Sequence, residues 1–172
     1  AEAVSVPVRS AAAKVSAADR PAQRPLNLSL SADRVPGDFA VFLARLLGSD
    51  TLGVAAIDGS WHARSSALAP LAGAFAFAEV TVDADATVAT LCDQAAAELT
   101  GALSGAPWLT DTIARYPALR DNVLLSDDAP LPVALVVGDD VPLPERGVEL
   151  ALRVGANGSA RLEYLTSAYD AA

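Results

Sequence analysis

The stretch Leu71-Ala72-Gly73-Ala74-Phe75-Ala76-Phe77-Ala78-Glu79-Val80-Thr81-Val82 decides the fold class. From Phe75 it alternates as a β-strand, with Phe75, Phe77, Glu79 and Thr81 on one face and Ala76, Ala78, Val80 and Val82 on the other. The second face is small and apolar and the first begins aromatic, so the strand is expected inside a sheet, covered on both sides. Asp83-Ala84-Asp85-Ala86-Thr87 then offers carboxylates to cap a helix start. Val88, Leu91, Cys92, Ala95, Leu99 and Leu103 follow at three- and four-residue spacing, the stripe of an amphipathic helix, which Gly101, Gly105 and Pro107 are expected to break. A strand running straight into a helix points to an α/β fold.

Upstream, Leu26-Asn27-Leu28-Ser29-Leu30 alternates as a half-buried strand. Pro36 and Asp38 mark a helix start; Phe39, Phe42, Leu43, Leu46 and Leu47 form its expected apolar face, and Gly48 ends it. Leu52 to Ile57 is an apolar run of strand length closed by Asp58-Gly59, so strand, helix and strand make a βαβ unit with a parallel pair. Residues 1–25, rich in Ala, Ser, Pro and Arg, show no sustained period and are expected to be a linker or loosely ordered arm before a domain over 26–172.

Downstream, Trp61 to Pro70 has loop composition, and Trp108 to Tyr116 suits a short helix before Pro117. Pro132 to Val137 is an apolar strand ended by Gly138-Asp139-Asp140. Val148 to Val154 and Ala160 to Leu165 both alternate across a three-residue loop, Ala156-Asn157-Gly158, with glycine in the left-handed position. One register keeps the faces unmixed: Leu152 opposite Leu162, Leu150 opposite Tyr164 and Val154 opposite Ala160. The other face then opposes Arg153 to Arg161, with Glu163 on the diagonal to relieve them.

The chain has 172 residues, 52% hydrophobic and 19% charged, which suits one domain with a real core and excludes a disordered chain. Its net charge is −9, and Arg9, Lys14, Arg20 and Arg24 outweigh Glu2 and Asp19 in the first 25 residues, so the remaining body is more acidic still. That balance argues against nucleic-acid and anionic-membrane partners. No apolar run reaches the ~18 residues of a membrane span. The first residues lack the pattern of a secretory signal, and the absence of methionine suggests a piece cut from something longer. A single cysteine on a helix stripe suits a structural thiol in the cytoplasm.

No self-contained catalytic, cofactor or metal site emerges. His62 is the only histidine, in a loop, while Cys92 points into a helix core, so the two do not form a nucleophile–base pair. No Gly-rich phosphate loop is present. Asp127-Asp128 and Asp139-Asp140 have the context of turn formers, without the alternating ligands of a calcium loop.

Taken as one string, residues 26–170 resemble the C-terminal half of a condensation domain of nonribosomal peptide synthetases, within the chloramphenicol-acetyltransferase-like acyltransferases. Ala72-Gly73-Ala74-Phe75-Ala76-Phe77-Ala78 stands where the family has Val-Gly-x-Phe-Val-Asn-Thr, and Asp85-Ala86-Thr87-Val88 where it has Asp-x-Thr-Phe. Ser104-Gly105-Ala106-Pro107-Trp108-Leu109 is similar to its His-Gln-x-x-Pro-Phe-Glu segment, Arg120-Asp121 to its Arg-Asp pair, and Leu162-Glu163-Tyr164 with Tyr169-Asp170 to its final strand. Phe77 replaces the motif's asparagine and the His-Gln pair is gone. The family's catalytic His-His-x-x-x-Asp-Gly belongs to an N-terminal half that has no counterpart here, and its latch excursion is reduced to Gly138–Gly147.

The resemblance implies a single lobe: a mixed sheet with helices and a C-terminal antiparallel hairpin. It further implies a truncated, non-catalytic platform within a synthetase, with an adenylation domain as its nearest partner. Phe75 and Phe77 would lie on a strand that borders the interlobe cleft, and with Trp61 and Trp108 they form the candidate partner surface, although packing down onto the domain is the stronger reading for the two tryptophans. Two alternatives stand beside this reading: half of a split acyltransferase completed by a partner with the histidine motif, and a homodimeric interaction module.

Overall fold

The computed structural model describes residues 8–9, 21–26, 33–64, 75–83, 85–104, 109–119, 131–143, 148–166 and 168–170. Its elements in chain order are β1 (Val8–Arg9), β2 (Pro21–Leu26), α1 (Val35–Leu47), β3 (Thr51–Asp58), α2 (Gly59–Arg64), β4 (Ala76–Thr81), α3 (Val88–Ser104), α4 (Leu109–Arg115), a single 3-10 turn (Pro117–Leu119), β5 (Leu131–Val137), β6 (Val148–Val154), β7 (Ala160–Leu165) and β8 (Tyr169–Asp170). Six strands form one mixed sheet in the order β2-β7-β6-β5-β3-β4, and β1 pairs with β8 in a separate two-stranded ribbon.

At the centre, β3, β5 and β6 run parallel. Ala134, Leu135 and Val136 of β5 are all buried, as parallel strands covered on both faces require. The helix-side face carries the larger cluster: Leu52, Val54, Val80, Leu135 and Leu152 of the strands pack beneath Val41 and Ala44 of α1 and Leu91, Ala95 and Leu99 of α3. The opposite face holds a smaller cluster, in which Ala55, Ile57, Ala134, Val136 and Ala151 are covered by Phe75, Val141 and Val148.

The terminal hairpin has the expected register, pairing Leu152 with Leu162, Leu150 with Tyr164, Val154 with Ala160 and Arg153 with Arg161. Its loop closes with Gly155 N–H donating to the Ser159 carbonyl at 2.8 Å, and Gly158 takes φ +78°. Helix α1 ends in a Schellman turn: Gly48, at φ +63°, donates to the Arg45 carbonyl, and Ser49 donates to that of Ala44 at 2.9 Å.

Several expectations need correction. Strand β4 is an edge strand, paired antiparallel with β3 alone among the described residues. The strands flanking α1 do run in the same sense, yet β7, β6 and β5 lie between them, so β2 and β3 are no adjacent pair. The stretch read as a linker supplies β1 and most of β2, because ladder bonds need backbone groups and no hydrophobic period; of the strand expected over Leu26–Leu30, residues 27–30 lie outside the described residues. Trp61 begins no loop but sits in α2, whose start is capped by Asp58: its carboxylate accepts Ser60 N–H at 2.7 Å and Ser60 O–H at 2.8 Å. Helix α3 runs through Gly101 to Ser104. Its cap is Thr87 Oγ1, which accepts Thr90 N–H at 3.3 Å, while Asp83 bends the preceding turn by accepting Asp85 N–H. In α3, Val88 is exposed and the buried stripe starts at Leu91.

Of the apolar face expected for α1, Leu43 is buried and Phe39 packs partly buried against the core, but Phe42, Leu46 and Leu47 are not inside. Val35, Gly37, Ala40, Val41, Leu43 and Ala44 face inward, while Phe42, Leu46 and Leu47 are exposed. The cause is close helix packing: a Cβ on Gly37 would stand 2.3 Å from the Cys92 carbonyl oxygen and 3.0 Å from Ala96 N. At Gly37 the approach of α3 leaves no room for a side chain.

Candidate functional site

Strand β4 offers the outward surface that the sequence singled out. Val82 N–H donates to the Asp50 carbonyl at 2.7 Å, which fixes the ladder's parity: Ala76, Ala78 and Val80 bond toward β3, and Phe77, Glu79 and Thr81 turn their backbone groups to the free edge. Thr81 N–H is taken there by the Glu98 carboxylate at 3.3 Å. Side chains alternate with the same period, so Ala78 and Val80 enter the helix-side core while Phe77, Glu79 and Thr81 are exposed. The Phe77 ring lies across Gly53 of β3; a Cβ at Gly53 would come within 2.8 Å of its Cζ. The missing side chain of β3 is therefore what seats the ring, which stays 55% exposed.

Of the four candidate partner aromatics, Phe77 alone is exposed among the described residues. Phe75 and Trp61 are buried at 4% and 6% exposure, which removes both from the surface set. Phe75 covers the small cluster on the sheet's second face, and Trp61 donates its indole N–H to the Leu103 carbonyl at 3.0 Å, tying α2 to the end of α3. Packing onto the domain is thus the reading of Trp61 that the structure supports, while its Leu103 partner has no signal in the Ser- and Arg-rich sequence around it. Trp108 lies outside the described residues.

Cys92 is buried, and burial first, then its hydrogen bond with Asp38, pushes the thiol up to about 11. Thiolate is scarce at neutral pH, as a structural thiol requires. Among the described residues no three His, Cys, Asp or Glu side chains converge as a metal would need. Asp139 leans on the hairpin turn, its carboxylate accepting Ala156 N–H at 3.4 Å, in keeping with a turn-forming role.

A second polar group lies beneath the hairpin. Arg153, 6% exposed at its side chain, donates to both oxygens of Glu163, at 2.8 and 3.1 Å, and to the Gly138 carbonyl at 2.9 Å. Arg161 donates to the same Glu163 oxygen at 3.0 Å. Burial opposes ionisation of Glu163, but the hydrogen bonds from Arg153 and Arg161 outweigh it and hold the carboxyl below its usual range. The diagonal glutamate thus resolves the opposed arginines as the register anticipates.

On the outward side of α1, Phe42, Leu46 and Leu47 are 47%, 61% and 62% exposed. Sequence reading counted them as core, so this apolar row escaped it as surface.

With this geometry in hand, comparison with solved structures is informative at the level of fold. The starter condensation domain of the rhizomide synthetase RzmA, solved as a double mutant with C8-CoA, superposes with a TM-score of 0.54 at 15% identity, over 92% of this chain and 42% of that one. SgcC5 from Streptomyces globisporus, solved with (R)-(-)-1-(2-naphthyl)-1,2-ethanediol and sucrose, gives 0.53 at 14% identity, over 88% and 44%. This chain has the fold of one condensation-domain lobe. It spans about two fifths of the length of the structures it matches. No family model and no curated protein matches the sequence. No helix among the described residues is long and apolar enough to cross a membrane.

Proposed function

We propose that this condensation-like lobe carries no acyl-transfer centre of its own and serves in the cytoplasm as a structural and docking platform for a neighbouring synthetase domain, an adenylation domain foremost. The observation that carries the reading is the outward row of Phe42, Leu46 and Leu47. A helix apolar on both sides belongs between two partners, and the inner side of α1 already has the sheet and α3. Phe42 and Leu46, one turn apart, form a continuous ridge with Leu47 beside them. The fold likeness adds the class of neighbour, since domains of this kind occur within synthetases.

The test is to replace Phe42, Leu46 and Leu47 by serine in a protein carrying both the lobe and its neighbour. The lobe's melting temperature should hold, because these side chains are exposed. The neighbouring domain should lose solubility and become separable by limited proteolysis, with its own chemistry intact. Loss of peptide-bond formation from an otherwise undisturbed neighbour would overturn the reading in favour of a catalytic lobe.

A further inference from the structure

The two edges of the sheet are finished differently. Gly155 N–H bonds to the Ser159 carbonyl, so on β7 the backbone groups of Ala160, Leu162 and Tyr164 turn toward β2, where they meet Leu26, Arg24 and Ala22. Pro21, Gln23 and Pro25 consequently face outward, and only Gln23 has an N–H to offer. That edge is blunted, since prolines at outward positions cost the ladder nothing and deny a template to another strand. On β4 the outward N–H and C=O groups of Phe77 and Glu79 have no partner among the described residues. No proline or bulge protects them, and the Phe77 ring, leaning over Gly53 of β3 and 55% exposed, leaves apolar surface on the same face of the strand.

We propose that the free edge of β4 is a strand-addition site for an extended segment of a partner protein, apolar beside Phe77 and basic beside Glu79. Pairing would use the two free residues as a short antiparallel or parallel ladder, main-chain bonds supplying affinity and flanking side chains the selectivity. The sign of charge chooses the occupant. Glu79 and Glu98 stand at the edge, and Asp83 and Asp85 are exposed just beyond it. A second copy would bring another net −9 and repeat the same acids at the same place, whereas lysine or arginine across from Glu79 makes a favourable cross-strand pair. The site is separate from the α1 ridge and holds whether or not a synthetase domain docks there.

The full chain, labelled with nitrogen-15, is titrated with a capped eight-residue peptide of alternating valine and lysine, and with its counterpart carrying glutamate for lysine. The valine–lysine peptide should bind saturably, shift the Phe77 and Glu79 amides and slow their hydrogen exchange; the acidic peptide should bind about ten-fold more weakly or less. Glu79→Pro removes an N–H that points away from β3, so the fold should keep its melting temperature while protection disappears. Should Glu79→Pro lower the melting temperature, N-methylation of the peptide along its bonding edge, against the unaltered chain, must abolish binding. The proposal is overturned by binding that survives the proline or the N-methyl groups, by absence of protection at both amides, or by protection that rises with protein concentration alone, which would assign the edge to a second copy.

Discussion

Glu163 holds two guanidinium groups at once, and both of its oxygens are committed. Removing its charge leaves Arg153, 6% exposed at its side chain, without a counter-charge, facing an NH2 donor in place of one carboxylate oxygen, with one amide oxygen and the Gly138 carbonyl as acceptors. Glu163→Gln should therefore destabilise the lobe by about 3 kcal/mol, as breaking one side of a buried pair does, or a melting shift of roughly 6–12 °C for a chain of this size. Replacing Arg153 and Glu163 together by apolar residues should cost less than the single change. The pH dependence has a definite sign. The folded-state pKa is lowered, so this stabilisation is fully present above the unfolded value of about 4.3 and is lost as pH falls through the depressed folded value. Chemical unfolding followed from neutral to strongly acid pH should show that slope in the parent chain and a shallower one in Glu163→Gln.

At the scale of elements, helix contact is decided by glycines whose surroundings differ. Gly37→Ala would ordinarily favour a helix, yet its Cβ would meet the Cys92 carbonyl oxygen at 2.3 Å, a backbone atom that cannot step aside. Helices α1 and α3 would have to separate, at a cost of about 1–3 kcal/mol. Gly101→Ala meets nothing within 4 Å on the exposed side of α3 and should stabilise by about 0.5–1 kcal/mol. Denaturant melts of the two variants should move in opposite directions. The contrast also explains what the sequence could convey. The hairpin was legible to the register, because a strict period of two with Gly158 at the turn leaves one solution. The inner face of α1 was not, since hydrophobic size pointed to Phe42 and Leu46 while packing distance selected Gly37, Ala40 and Ala44. Likewise, Phe75 and Phe77 at alternate positions resemble the start of a covered strand until Gly53 is known to lie beneath Phe77. The four-aromatic surface then shrinks, because a tryptophan anchored by one indole hydrogen bond has no signature in local composition.

For the molecule as a whole, the question is how each end of the sheet is finished. Closure at the β7 end falls to the arm that composition assigned to a linker: β2 satisfies the outward groups of Ala160, Leu162 and Tyr164 and presents Pro21 and Pro25 in their place. Because the prolines occupy non-bonded positions, Pro21→Ala with Pro25→Ala should leave every β2–β7 bond in place and lower stability by only about 1–2 kcal/mol, through a freer unfolded chain. The same pair of substitutions restores two outward N–H groups, giving the edge the row of donors that strand pairing needs. Sedimentation velocity across micromolar concentrations should then show more association than in the parent chain. Deleting residues 1–26 goes further and bares β7 itself, whose Leu162 and Tyr164 are core residues, so light scattering on gentle heating should rise earlier than in the proline variant. If neither variant associated more than the parent, the arm would not be guarding this edge, and resistance to edge pairing would have to come from the acidic charge of the body.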